Sequence, residues 1–120
     1  MLTVHQDHIG DVAVLECDGP IVGGDDASEL EGVVTAREES HVIVLDLTGV
    51  NAIDGLGIRT LQFLKRWTAE HNIHLKLFNP HICVRYALEH LGSACKFEIV
   101  NLHSAMTLLT DARRRHQQAA

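Results

Sequence analysis

One stretch of the chain, residues 41–67 (HVIVLDLTGVNAIDGLGIRTLQFLKRW), constrains the fold more than any other. Its first part, residues 42–47, is rich in β-branched and apolar side chains, as in a strand buried on both faces of a parallel sheet. From Gly55 onward the apolar residues recur at helical spacing. Between them, Asp54 can accept hydrogen bonds from the following amides as an N-cap. Because α/β domains place ligands and switches where such a strand leads into a helix, we expect the functional site at this loop.

Length and composition predict a single folded domain over residues 1–120. The chain is 46% hydrophobic and has only two prolines, which is typical of a protein with a buried core. Its formal net charge of −6 argues against general binding to nucleic acid, which requires a surplus of lysine and arginine. The sequence shows neither a leader pattern nor an apolar window of about 18–20 residues. We therefore expect a cytoplasmic location and no membrane insertion.

The metal-binding and nucleophilic residue types form no recognisable motif. Three cysteines, Cys17, Cys83 and Cys95, contain no C-x-x-C pair, and we interpret them as reduced and mostly buried. The nine histidines include no H-x-x-x-H on a predicted helix. No phosphate-binding loop, dinucleotide motif or nucleophile elbow occurs. The sequence thus predicts no catalytic residues, no metal site and no cofactor, and the chain is not expected to be an enzyme.

The remaining periodicities predict four further strands and three further helices. The first helix is expected to be capped by Asp25 or Asp26 and the last by Asn101 or Ser104. Pro80 suits the first turn of the third helix, and Gly92 its end. Strands are predicted over residues 2–9, 12–18, 42–47, 73–78 and 97–100. The order β-β-α-β-α-β-α-β-α predicts an α/β fold, a mixed sheet of four to five strands with about four helices mainly on one face.

This order of elements resembles the STAS domain, the fold of bacterial anti-sigma factor antagonists and of the cytoplasmic tails of sulfate transporters. The strand VIVLDLTGV followed by NAIDGLGIRTL is similar to the family's strand, short loop, Asp-Ser-Ser-Gly and helix start. Further support comes from LKLFNPHICVRYALEHLG, which is similar to the next strand and its Asn/Ser-Pro helix start. The resemblance covers essentially the whole chain.

The resemblance implies a protein-interaction switch in bacterial transcription regulation. In antagonists of this family, the unmodified domain binds an anti-sigma factor that is also a serine kinase, and so frees the sigma factor. Phosphorylation of the serine that follows the Asp-Ser pair abolishes binding, because it adds negative charge at the docking surface. By this resemblance the partner docks on the Asp54 loop and the start of the following helix.

The chain departs from the family at the switch itself. Asp54 matches the family aspartate, Gly55 the first serine, Leu56 the phospho-acceptor serine and Gly57 the glycine. Leucine cannot be phosphorylated, so the switch is expected to be absent or relocated. The family's acidic residue before the first helix falls at about Val22 or Gly23, with Asp25 and Asp26 only nearby.

Two other hydroxyls could replace the missing acceptor. Thr60 lies one turn into the helix on the side of Leu56, and Thr48 ends the preceding strand. The simpler interpretation is that Thr60 is a helix-surface residue and Thr48 a loop residue.

The helix after Asp54 carries more apolar residues than one sheet contact requires. A second stripe, a quarter-turn from the core stripe, consists of Leu56, Thr60, Phe63 and Trp67. It either packs under a neighbouring helix or forms a partner surface together with Asp54, Gly55 and Gly57.

Three functions remain open on the sequence. The first is an anti-sigma factor antagonist-like domain that binds an anti-sigma factor and serine kinase. The second is an accessory subunit of a membrane transport system of the lipid ABC type, in which the partner is a transporter ATPase. The third is a sensor that binds a small ligand in the loop pocket where the two glycine-containing segments meet.

Overall fold

The computed structural model describes residues 1–91 and 96–119. They form five strands and four helices, in the predicted order. The bounds are β1 Thr3–Ile9, β2 Val12–Asp18, α1 Gly23–Thr35, β3 Val42–Gly49, α2 Gly55–Glu70, β4 His74–Phe78, α3 Ile82–Leu91, β5 Ile99–Val100 and α4 Leu102–Ala119. The predictions that concern Gly92 and Cys95 lie outside the described residues.

The five strands form one mixed sheet in the order β1-β2-β3-β4-β5. The β1–β2 hairpin is antiparallel, and β2 to β5 pair in parallel. Each parallel pair is joined by a helix, as the chain order requires. The parallel strands therefore direct their carboxyl ends to a single edge of the sheet, where α1, α2, α3 and α4 begin.

Strand β3 lies at the centre of the sheet and is buried on both faces, as the sequence predicts. Ile43 and Leu45 belong to a core shared with α1, α2 and α3. Val42 and Val44 belong to a smaller core on the opposite face, which contains Ala112 of α4. Three helices thus cover one face of the sheet and the fourth covers the other, which confirms the mixed sheet with helices mainly on one face.

Three predicted helix starts can be compared with the structure. The last helix is capped by Asn101, whose side-chain oxygen accepts a hydrogen bond from the Ser104 amide at 2.8 Å. The predicted cap of α1 is wrong: the N-cap is Val22, without a side-chain hydrogen bond, and Asp25 and Asp26 lie inside the first turn. Pro80 precedes α3 rather than lying in its first turn, since that helix begins at Ile82.

The two described cysteines differ in exposure. Cys17 is buried in the main core, and Cys83 is exposed on α3, so the prediction of mostly buried cysteines is wrong for Cys83. Burial, together with the nearby Asp46 and Glu16 charges, raises the pKa of the Cys17 thiol to about 12. That thiol therefore remains protonated and unreactive at neutral pH.

Candidate functional site

The loops before α1 and α2 lie side by side at the carboxyl edge of the sheet. The Gly19 amide donates to the Gly49 carbonyl at 3.0 Å, and the Ile21 amide donates to the Ala52 carbonyl at 2.9 Å. The Asp54 amide in turn donates to the Ile21 carbonyl at 3.3 Å. These bonds continue the parallel pairing of β2 and β3 beyond the strands and hold the starts of the two helices together.

The Asp54 carboxylate caps both of these helices. One oxygen accepts a hydrogen bond from the Gly57 amide in α2 at 2.9 Å, as an N-cap does. The other accepts from the Gly23 amide at the start of α1, also at 2.9 Å. The predicted N-cap is confirmed, and the second bond explains why α1 needs no cap of its own. Asp54 thereby fixes the positions of α1 and α2 relative to each other.

A second carboxylate secures the start of α1 from the other side. Asp26 is only 8% exposed, and its two oxygens accept from the Leu2 amide at 3.0 Å and the Val22 amide at 3.1 Å. Asp26 therefore has a tertiary role instead of the capping role predicted from the sequence, because it joins the residue directly before β1 to the start of α1. The four amides bound by Asp26 and Asp54 are all backbone groups that lack strand or helix partners.

These hydrogen bonds favour the ionised form of both carboxyl groups. Bonds from the Gly57 and Gly23 amides lower the pKa of Asp54, and bonds from the Leu2 and Val22 amides lower the pKa of Asp26. A carboxyl whose pKa is lower in the folded state than in the unfolded state binds fewer protons when folded. Its contribution to stability is present above the ordinary value of 3.8 and is lost as the pH falls through the folded-state pKa.

We expect Asp54→Asn to lower the free energy of unfolding at neutral pH. The free energy of unfolding of the variant should also fall less steeply as the pH is lowered. Asparagine keeps one acceptor oxygen but presents an NH₂ group to one of the two amides, so one capping bond is lost. Urea unfolding from neutral pH to below about pH 4 measures both effects. The matched control is Asp25→Asn, which removes an equal charge from the exposed part of the same site. Equal losses in the two variants would contradict the double-cap role.

Two glycines of the motif have opposite steric surroundings. A Cβ atom at Gly57 would lie 2.6 Å from the Ile21 carbonyl oxygen and 2.6 Å from Cγ1 of Ile53. At Gly55 a Cβ atom would meet nothing within 4 Å. Gly57 is thus required for α2 to approach the loop before α1, whereas Gly55 stands where a larger residue would fit.

The surface above Asp54 is apolar. Leu56 is 45% exposed at the start of α2, and Val22 is 44% exposed directly before Gly23, the residue whose amide Asp54 binds. Phe63 is 36% exposed and lies two turns along α2 on the side of Leu56. We call Val22, Leu56 and Phe63 the Leu56 surface. Val22 was not among the residues predicted for a partner surface, because a single apolar residue before two glycines resembles any core residue.

The rest of the second stripe on α2 is covered. Thr60 is only 8% exposed, so its interpretation as a helix-surface residue is wrong. Trp67 is partly buried against the main core and stacks on His71, with ring centroids 4.2 Å apart. Exposure therefore alternates along the stripe: Leu56 and Phe63 are exposed, whereas Thr60, which lies between them, and Trp67 are covered.

Thr48 is exposed and lies within β3 rather than in a loop. Its hydroxyl donates to the Asp46 carboxylate at 2.6 Å and accepts from the Asn79 side-chain amide at 3.1 Å. Its backbone amide also donates to Asp46 at 3.0 Å. The hydroxyl is thus accessible, but it is engaged on both its donor and acceptor sides.

The ionisable residues of the described ranges do not assemble a site for a metal. Within residues 1–91 and 96–119, no group of three or more histidine, cysteine, aspartate or glutamate side chains is placed to hold an ion. No helix in the same ranges is both long enough and apolar enough to cross a bilayer.

A sequence comparison with models of known families gives one decisive match. The STAS domain model matches residues 3–106. The chain belongs to the STAS domain family. The match includes the whole sheet, the Asp54 loop and the start of the last helix. A search of curated protein sequences found no significant match.

Solved structures confirm the STAS fold. An anti-sigma factor antagonist from Mycobacterium paratuberculosis aligns over 92% of this chain and 95% of its own, with a TM-score of 0.75 and 18% identity. A sulfate transporter family protein from Wolinella succinogenes aligns over 85% and 87%, with a TM-score of 0.70 and 23% identity. The antagonist SpoIIAA of Bacillus, in its unphosphorylated form, aligns over 88% and 94%, with a TM-score of 0.69 and 9% identity. At these identities the likeness concerns the fold.

Proposed function

We propose that this STAS domain is a cytoplasmic regulatory protein of the anti-sigma factor antagonist type, and not an enzyme. It binds a kinase-type anti-sigma factor through the Asp54 loop and the start of α2. The observation that carries the proposal is the exposure of Leu56, 45%, at the position where antagonists of this family carry the regulated serine. The similarity of its fold to two anti-sigma factor antagonists supports the class of partner.

The Leu56 surface has the properties of a protein docking site. Exposed leucine, valine and phenylalanine side chains gain free energy when a partner removes them from water. They are also rigidly mounted, because Asp54 binds the starts of both helices and Gly57 packs on Ile21. A rigid apolar surface loses little conformational entropy on binding, which favours affinity.

Phosphorylation has no obvious place in this site, and we propose that regulation by it is absent or relocated. Leu56 offers no hydroxyl, and Val22 places a second apolar group where the family's acidic residue falls. Thr60 is buried, so a kinase would reach it only after the helix moved. Thr48 is the accessible substitute, but a phosphate there would lie beside the Asp46 carboxylate and lose the bond between them.

The proposal is tested by a pull-down from the native cytoplasm with two baits, the wild-type chain and Leu56→Asp. Mass spectrometry identifies the captured proteins and any phosphate on the bait. We expect the wild-type bait, and not the variant, to recover an anti-sigma factor with a kinase domain. A phosphate on Thr48 or Thr60 would show that the switch had moved to that residue.

Two outcomes of the same experiment would contradict the proposal. If the wild-type bait recovered a membrane transporter ATPase and no anti-sigma factor, the chain would be an accessory subunit of a transport system. If both baits recovered the anti-sigma factor equally, the partner would dock elsewhere, and the Asp54 loop would not be the site.

A further inference from the structure

A cleft of about 520 Å³ opens at the carboxyl ends of β4 and β5, away from the Leu56 surface. The described residues that line it come from the segments that follow these two strands and from α3. They are Phe78, Asn79, Pro80, Arg85, Ile99, Val100, Asn101 and Leu102. Its volume lies within the range of about 300–1,000 Å³ that is usual for small-molecule sites.

The topology explains why a cleft forms at this point. Helix α3 follows β4 and packs on one face of the sheet, with Val84 and Leu88 in the main core. Helix α4 follows β5 and packs on the opposite face, with Ala112 in the smaller core. Where neighbouring parallel strands send their helices to opposite faces, the segments leaving them diverge and leave a crevice between them. Open α/β sheets bind ligands in such crevices.

The charge of the lining is opposite to that of the chain. The protein has 16 acidic and 10 basic residues, yet the described lining contains no carboxylate and one arginine, Arg85. Arg85 is exposed, and its guanidinium forms no ion pair with any residue in ranges 1–91 and 96–119. Asn101 uses its side-chain oxygen to cap α4, which leaves its NH₂ group free of that bond. Both groups donate hydrogen bonds, and a guanidinium favours carboxylate or phosphate oxygens.

The surroundings of Arg85 are apolar. Phe78, Pro80 and Leu102 line the cleft, and Leu102 is 65% exposed. On α3, Ile82 and Tyr86, three residues before Arg85 and one after it, are 76% and 63% exposed. A simple inorganic anion would leave this apolar surface in water, whereas a ligand with a hydrocarbon or aromatic portion would cover part of it.

We propose that this cleft binds a small organic anion. Its carboxylate or phosphate group is held by Arg85 and the Asn101 side chain, and its apolar portion lies against Phe78 and Leu102. Asn79 also lines the cleft, and it is held in place there because its side chain donates a hydrogen bond to the Thr48 hydroxyl; its backbone is left-handed, with φ of 50°. The site does not depend on the proposed protein partner, since none of its residues belongs to the Leu56 surface.

The test uses two-dimensional ¹H–¹⁵N NMR titrations of the whole chain with phenyl phosphate and with benzoate. Inorganic phosphate and benzyl alcohol are the controls for the anionic and the apolar portion. We expect saturable shifts at the amides of Asn79, Val100 and Asn101 with one or both aromatic anions, and weaker binding of both controls. The aromatic anion that binds with the higher affinity shows whether the cleft prefers a phosphate or a carboxylate group.

Matched variants decide whether Arg85 holds the anion. Arg85→Ala should weaken binding of the preferred anion by about tenfold or more, and Arg85→Glu should abolish it. Arg59→Ala removes an exposed arginine from α2 and should leave the affinity unchanged. Because Arg85 and Arg59 are both exposed, we expect all three variants to fold. The proposal is overturned if neither aromatic anion shifts the cleft amides, or if Arg85→Ala and Arg59→Ala have equal effects.

Discussion

Leu56→Asp should weaken binding of the anti-sigma factor by about 2 kcal/mol or more, the loss typical of a central interface residue. The variant buries a carboxylate where the partner covers an apolar side chain, and it adds negative charge at the position of the family's phosphoserine. The fold should persist, because Leu56 is 45% exposed and acidic residues are favourable in the first turn of a helix. Titration calorimetry with the purified partner measures the affinity, and urea unfolding checks the fold.

Ile82→Asp is the matched control for this prediction. Ile82 is 76% exposed at the first position of α3, so the substitution also places an aspartate at a helix start and also removes an exposed aliphatic side chain. It should leave the affinity for the anti-sigma factor unchanged. Phe63→Ala, on the Leu56 surface, should weaken binding in the same direction as Leu56→Asp. If Leu56→Asp and Phe63→Ala both bind as tightly as the wild type, the docking site is wrong.

Gly57→Ala should destabilise the fold by about 1–3 kcal/mol, the usual cost of forcing extra atoms into a packed site. The new methyl group would lie 2.6 Å from the Ile21 carbonyl oxygen, a backbone atom that cannot move without shifting the loop before α1. Relief of the clash would pull α2 away from this loop and lengthen the hydrogen bonds of Asp54. The midpoint and slope of urea unfolding measure the loss.

Gly55→Ala is the control, two residues earlier in the same helix. Its methyl group meets no atom within 4 Å, and alanine restricts the unfolded chain more than glycine does. We therefore expect unchanged or slightly increased stability. Equal destabilisation by the two alanines would show that helix propensity or the loop sequence, and not the contact with Ile21, determines the cost.

The sheet could be predicted from the sequence because its signals are local. The short strand-like run in residues 12–18 and the apolar run in residues 42–47 identify strands without knowledge of their neighbours. Strand β5 was predicted over residues 97–100 but spans Ile99–Val100, since an edge strand pairs only where its neighbour reaches it. The same locality explains the confirmed caps at Asp54 and Asn101.

The start of α1 was predicted wrongly because it depends on contacts between distant residues. No local pattern indicates that Asp54 binds the amide of Gly23, 31 residues earlier, so the cap of α1 was sought in its own first turn. Asp26 similarly serves Leu2, 24 residues away. Tertiary hydrogen bonds replaced the local capping bonds that sequence rules assume.

Exposure within the candidate site was equally hard to predict. Helical periodicity placed Leu56, Thr60 and Phe63 on one stripe, but Leu56 and Phe63 are exposed while Thr60, between them, is buried. The difference arises from the packing of α2 against its neighbours, which the period of a single helix does not contain. The sequence thus predicted a candidate site at the Asp54 loop, and the structure identified which side chains there face outward.

The central claim is that Leu56 occupies the family's phospho-acceptor position within the site that binds the kinase-type anti-sigma factor. The most direct measurement is the affinity of the wild-type chain and of Leu56→Ser for the purified kinase-type anti-sigma factor, before and after incubation with ATP. We predict that the wild type keeps its affinity and gains no phosphate, whereas Leu56→Ser is phosphorylated and released. No binding by either chain, or continued binding by phosphorylated Leu56→Ser, would contradict the account, and loss of binding by a wild type phosphorylated on Thr48 or Thr60 would place the switch at that residue.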